Sequence, residues 1–237
     1  MTDHPPGTII IAAGEFLRFG SFVNSMLQVL HPPGTQILIK QSVALVDNYN
    51  DCLRKMTGDW CWIQADDQTW EKEALLMLLD RDVDVVVPLI LKRSPPYQTV
   101  IYKDQTDEGY MPFALSELPD TGLMEVHSAG SGGMLIRRRV LEAIGIPHDA
   151  PWEKRHWFTY GDGVHLNEDL VLCKRIREAG FKIHVDVDVT MGHRGTYTVL
   201  PIFEDGRWGI GMNMGQASNG KSNTVVIHPT EKQEAAR

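Results

Sequence analysis

The chain has 237 residues, 43% of them hydrophobic and 23% charged, and a formal net charge of -8 at pH 7. That composition is ordinary for a globular protein, and the acidic balance argues against a nucleic-acid footprint, which would be basic. Three widely spaced cysteines, Cys52, Cys61 and Cys173, make neither a zinc pattern nor a disulfide framework. The N-terminus, MTDHPPG, has no basic n-region, and no apolar run approaches the roughly 20 residues that span a bilayer. The expectation is a soluble cytoplasmic protein of one domain, because no Gly/Ser- or Pro-rich linker divides it.

Thr8–Ala13 is a β-branched run that predicts a buried first strand. Phe16–Leu30 follows at helical spacing and stops at Pro32-Pro33-Gly34. Gln36–Lys40 reads as a second strand, and Asp47–Met56 as a helix that Asp47 can cap. Trp60–Ile63 is a third strand, ending at Asp66 and Asp67, with a helix expected to begin near Thr69 and Glu71. Asp82–Leu91 is a fourth, whose Pro88 suggests a strand end or a sheet edge. This alternation predicts an α/β fold with a mainly parallel central sheet flanked by helices.

Residues 104–123 carry little periodicity, and such an insert is usually functional or loose. Gly130, Gly132 and Gly133 then precede an apolar stretch, in a spacing that is not a dinucleotide fingerprint. They suit either a close backbone approach to a ligand or a plain turn. Val140–Ile144 reads as a short helix, and Trp152–Tyr160 as a loop or mobile segment. Asn167–Ala179 is the clearest helix, with Asn167 as cap and Glu168 and Asp169 in its first turn. Lys182–Val189 alternates as a strand, closed by Met191-Gly192-His193. From Glu204 the chain is polar, and a partly mobile tail over 204–237 is expected.

Two carboxylates at a strand's C-terminal end lie where open α/β sheets place ligands, and they suit a hard divalent cation with its phosphates. They equally suit a strand end that caps the next helix. An acidic pair in a helix's first turn stabilises the dipole on its own account, and a strand-end histidine is more often structural. Asp66-Asp67, Glu168-Asp169 and His193 carry more together than singly, since a cation site draws ligands from several segments.

The blocks GDWCWIQADDQTWEKEALLMLL, SAGSGGMLIRRRVLEAIG and NEDLVLCKRIREAGFKIHVDVDVTMGH resemble the GT-A glycosyltransferases, close to family 2 and its phage and bacterial relatives. The resemblance covers roughly residues 8–195 and implies a Rossmann-like GT-A domain over 1–203. Its nucleotide-binding half would be about 8–95 and its acceptor half about 96–203. It implies transfer of a hexose from a nucleoside-diphosphate sugar, UDP-sugar favoured, to the hydroxyl of a protein, lipid or small-molecule acceptor. No nucleic-acid template and no transmembrane segment belong to this picture.

The resemblance also assigns residues. The family's D-x-D frame falls on Ala65-Asp66-Asp67, which makes Asp67 the ligand of Mn2+ or Mg2+, with His193 as a further ligand. Ala65 replaces the first Asp. Asp66 then serves the ribose or the metal. Asp169 corresponds to the general base, with Glu168 orienting the acceptor. Ala12, Ala13, Glu15, Arg18, Asn50, Gly132 and Gly133 fall at the donor, where Tyr49 stands in the place of a usual Arg. Trp152, Trp157 and Trp208 are expected on the acceptor side, with ordinary packing as the alternative. IAAGEFLRFGS also resembles the start of a sugar nucleotidyltransferase, although Phe16 stands where that loop needs Gly. A catalytically silent sugar-binding domain on the same fold is the third reading.

Overall fold

The computed structural model describes residues 3–13, 20–42, 44–107, 109–161, 167–195, 197–216 and 222–228. The first half alternates strand and helix: β1 (Thr8–Ala13), α1 (Gly20–Gln28), β2 (Gln36–Gln41), α2 (Leu45–Lys55), β3 (Trp60–Ala65), β4 (Gln68–Thr69), α3 (Ala74–Asp80) and β5 (Val85–Ile90). The insert supplies β6 (Ile101–Thr106), β7 (Gly109–Pro112), β8 (Leu123–Val126) and β9 (Ser128–Ala129). Then come β10 (Leu135–Arg137), α4 (Arg138–Ile144), α5 (Glu168–Glu178), β11 (Ile183–Arg194), β12 (Thr198–Glu204), β13 (Arg207–Gln216) and β14 (Ser222–Ile227).

The main sheet runs β14-β13-β12-β11-β5-β10-β3-β1-β2. Strands β2, β1, β3, β5 and β11 share one direction, and β10 runs against them between β3 and β5. All six residues of β1 and of β5 are buried, as expected of strands covered on both faces. One face packs Ile9, Trp60 and Trp62 against Phe22 of α1 and Leu75, Leu78 and Leu79 of α3. The other packs Ile10, Cys61 and Ile63 against Leu53 of α2, Leu141 of α4 and Ile176 of α5. This is a wound, Rossmann-like α/β architecture, but its sheet is mixed: β10 and the strands beyond β11 pair antiparallel. The mainly parallel expectation therefore holds only for the strands that converge on one edge.

Several local expectations change. Asp47 lies inside α2, whose N-cap position belongs to Ala44. Gln68 and Thr69 form a short strand rather than a helix start, because Gly192 and His193 pair with them. Pro88 sits within the central strand β5. Its missing N–H is tolerated because β11 breaks register there: Asp186 faces Pro88 and Thr190 faces Leu89. Residues 207–216 and 222–227 form a hairpin on the sheet instead of a polar tail.

At that register break, Asp186 is fully buried and accepts two hydrogen bonds from Arg81, Nε at 2.7 Å and Nη2 at 2.9 Å. Arg81 also pairs with Asp188. Removing one partner of a buried pair leaves an uncompensated charge. Arg81→Met is therefore expected to destabilise the fold by about 3 kcal/mol, read as a lower urea midpoint with an unchanged m-value.

Candidate active site

The C-terminal ends of β1, β3, β5 and β11 meet at one edge, and the turn after β3 carries Asp66 and Asp67 there. Asp66 is buried. Asp67 is held from several sides. Its carbonyl accepts the Arg194 N–H at 2.6 Å, and its carboxylate pairs with the Arg93 guanidinium. The His193 Nε2 stands 3.5 Å from the same carboxylate oxygen. The other ring nitrogen, Nδ1, lies 3.0 Å from the Leu91 carbonyl. A carbonyl can only accept, so Nδ1 carries a proton; Nε2 donates toward Asp67 when the ring is protonated and offers its lone pair to a metal when it is not. Burial pushes the Asp67 carboxyl up, but His193 and Arg93 outweigh it and hold it below the usual carboxylate range.

An oriented imidazole nitrogen and a carboxylate converging on one point fit two ligands of a divalent cation. Among the described residues no group of three or more His, Cys, Asp or Glu side chains gathers to hold a metal. Further ligands would have to come from a bound phosphate or water.

The second cluster gathers around Ser131. Its backbone lies beside the Asp169 carboxylate and its side chain beside the Tyr49 hydroxyl, and each favours the ionised form of its neighbour. Asp169 begins α5 beside Glu168. Burial first, and the Glu168 charge second, push its carboxyl up to about 6, while hydrogen bonds from backbone groups pull the other way. Tyr49 is buried, its burial raises the phenol well above its usual value, and Ser131 offsets part of that. The charges of Glu168, Asp169 and Asp67 raise it further. One phenol therefore lies within electrostatic reach of all three carboxylates.

The two glycines of the loop before β10 let this edge close. A Cβ on Gly132 would come 2.0 Å from the Gln68 Nε2, and one on Gly133 would come 2.4 Å from the Pro88 ring. Gly133 also has φ +78, which favours glycine. Both residues lie under the edge and pack against protein, rather than presenting an open backbone. Ala12 and Ala13 end β1, both buried. The Ala13 carbonyl accepts the Asn48 side-chain amide at 3.3 Å, and the same amide nitrogen reaches the Ser42 carbonyl at 3.0 Å. Asn48 thereby ties the ends of β1 and β2 together. Glu15 and Arg18 lie outside the described residues.

Other assigned residues are engaged elsewhere. Asn50 donates to the Phe158 carbonyl at 2.8 Å and accepts from the Trp157 and Phe158 N–H groups at 2.8 and 3.1 Å. Its amide is spent on backbone and anchors 157–158 to α2. The three tryptophans do not line an open acceptor face. Trp157 is fully buried with its Nε1 on the Leu141 carbonyl. Trp152 donates to the Leu53 carbonyl and lies under Arg138. Trp208, on β13, donates to the Pro119 carbonyl. Trp157 and Trp208 are buried, Trp152 packs partly buried against the core, and each satisfies its N–H on a carbonyl, as packed indoles do. The segment around Trp157 and Phe158 is correspondingly built into the core rather than a free loop.

Sequence reasoning missed Arg93, Ser131 and Asn48, and it placed Tyr49 only as the stand-in for a usual Arg. Arg93 had a usable signal, as a cation directly beyond a buried strand that ends at the same edge.

No protein-family model matches this chain, and none of the curated proteins matches it. Among solved structures it is similar to a protein from STIV, at 13% identity and TM-score 0.48, over 94% of this chain and 95% of that one. It is also similar to S. aureus TarS in complex with UDP-GlcNAc, at 11% identity and TM-score 0.44, over 76% of this chain. It spans 56% of that TarS chain. The inositol-1-phosphate CTP transferase from T. maritima gives 9% identity and TM-score 0.41, over 79% of this chain and 69% of that one. At these values the chemistry rests on the geometry of the site.

Because Asp67 is held below its usual range, its pairing adds stability that is present above the ordinary carboxylate range and is lost as pH falls through the depressed value. Arg93→Gln is expected to raise the Asp67 pKa. A carboxyl-carbon NMR titration reads this directly, and an unmoved Asp67 curve would show that His193 alone sets it.

Proposed function

We propose that this chain is a nucleotide-sugar-dependent glycosyltransferase, moving a hexose from a nucleoside-diphosphate sugar, UDP-sugar favoured, to an acceptor hydroxyl. The observation that carries the reading is the strand-end Asp67 with an oriented His193 and Arg93 at the sheet edge, with Glu168 and Asp169 near enough for their charges to act on the same phenol, Tyr49. A strand-end carboxylate with an oriented histidine is suited to a leaving diphosphate. A carboxyl poised near neutrality is suited to an acceptor proton. The acidic balance of the whole chain supports a local cation arrangement for any phosphate it handles.

In this reading Asp169 takes the proton of the acceptor hydroxyl as its oxygen bonds the sugar's anomeric carbon. The bond from that carbon to the diphosphate breaks, and the diphosphate departs with the electron pair. Asp67 and His193 would hold Mn2+ or Mg2+, which when bound neutralises charge on the leaving group. Arg93, 43% exposed on its side chain, adds a second positive charge beside Asp67. Glu168 keeps Asp169 basic and orients the acceptor. Displacement assisted in this way inverts the anomeric centre.

The test is release of nucleoside diphosphate from a panel of nucleotide sugars with manganese present. Pyrophosphate made from a nucleoside triphosphate and a sugar phosphate would mark a nucleotidyltransferase instead. Asp67→Ala should abolish metal-dependent nucleotide binding in calorimetry, and unchanged affinity would remove Asp67 from the donor site. Asp169→Asn should leave donor binding intact and slow transfer by about two to four orders of magnitude.

Asp169 works as a base only when ionised. With its carboxyl at about 6, transfer should fall as pH drops through about 6, and Asp169→Asn should lose that limb in a pH–rate profile.

A further inference from the structure

A second concavity lies on the other side of β11 from His193. Helix α1 forms one wall, and β4, β11, β12 and β13 form the other, around a cleft of about 910 Å3. Thr190, Gly192 and Arg194 line it. Alternate strand residues point to opposite faces, so the His193 ring belongs to the Asp67 side and the cleft to the reverse. The partner strand divides the same way: Thr69 lines the cleft, and Gln68 packs under Gly132. Gly192 is what lets the walls approach. A Cβ there would come 2.4 Å from both the Thr69 hydroxyl and the Thr198 methyl.

The walls are rich in amides and hydroxyls. Asn24 and Gln28 come from α1, Thr69 from β4, Thr198 from β12 and Asn213 from β13. Their charged neighbours are balanced: Glu71 accompanies Lys72, which itself pairs with Glu73 at 3.4 Å, and Arg194 donates to the Thr198 hydroxyl at 3.1 Å. Among the described residues that leaves no concentrated charge for a phosphate and no carboxylate cluster for a cation. An apolar guest would desolvate these side chains without replacing their hydrogen bonds. A sugar ring both donates and accepts at each hydroxyl, as this set does.

We propose that this reverse-face cleft binds a neutral saccharide, separately from the site at Asp67. The inference does not depend on the chain being a transferase. The same sugar chemistry could belong to a free oligosaccharide or to a glycan on a larger acceptor.

The experiment is titration calorimetry of the full chain with maltotriose, mannotriose and triacetylchitotriose, without nucleotide or metal. The comparison is with Asn24→Leu/Gln28→Leu and with Asp67→Ala. Both α1 positions are exposed, so the double variant should fold, and its thermal melt checks that it does. At least one trisaccharide should bind saturably, at least tenfold more weakly to the α1 double variant and unchanged to Asp67→Ala. If none of the three binds, or if the double variant binds as tightly as the parent, the proposal is overturned. Binding lost only in Asp67→Ala would assign the sugar to the other site and overturn it equally. A third arm uses trisaccharide linked to a lipid in a vesicle. Tighter binding there than to the free sugar would point to a glycan on a larger acceptor.

Discussion

The edge depends on two residue pairs of backbone ladder. Gln68 pairs with His193 and Thr69 with Gly192, and this short antiparallel contact brings the turn after β3 onto the end of β11. Without it, Asp67 and His193 would be the ends of two strands separated by β10 and β5. The contact is sterically demanding, and glycine meets the demand on both sides. Gly132 clears the Gln68 amide, and Gly192 clears Thr69 and Thr198. The same ladder shapes both concavities, since residues of alternating orientation on β4 and β11 face one or the other.

The carboxylates at this edge sit in contrasting surroundings. Asp67 is beside a guanidinium and an imidazole, which hold its carboxyl below the usual carboxylate range. Asp169 is crowded by protein and by Glu168, which holds its proton affinity near neutrality. Two identical functional groups thereby acquire different tasks from environment alone. Tyr49 and Ser131 join the two halves, and Asn48 fixes the strand ends behind them.

The buried strands were legible because a strand covered on both faces must be apolar throughout, as Thr8–Ala13 and Trp60–Ile63 nearly are. Asp67 and His193 were legible as strand-end polar residues, and Asp169 as a helix-start acid. What escaped was decided by tertiary partners. Gln68 and Thr69 read as helix approach because nothing local announces a ladder with β11. The tryptophans read as acceptor-side residues, with packing as the alternative, because their carbonyl partners, Leu53, Leu141 and Pro119, are remote in sequence. The C-terminal hairpin did carry a signal, alternating Trp208, Ile210 and Met212. Its intervening glycines looked like disorder, yet Gly209 and Gly211 are where the side chains of His228 and Ile202 come closest.

The register break in β11 has a further consequence. Between Asp186 and Thr190 the strand spends extra residues against a single step of β5. The length of that detour sets the parity of everything after it. One residue more or fewer would turn Gly192 or Arg194 toward Asp67 and send the imidazole to the reverse face. The buried Asp186, held by Arg81, anchors one end of the detour and so acts as a phase marker for the histidine seven residues on. Chain length in this stretch therefore decides which face of the sheet carries the histidine.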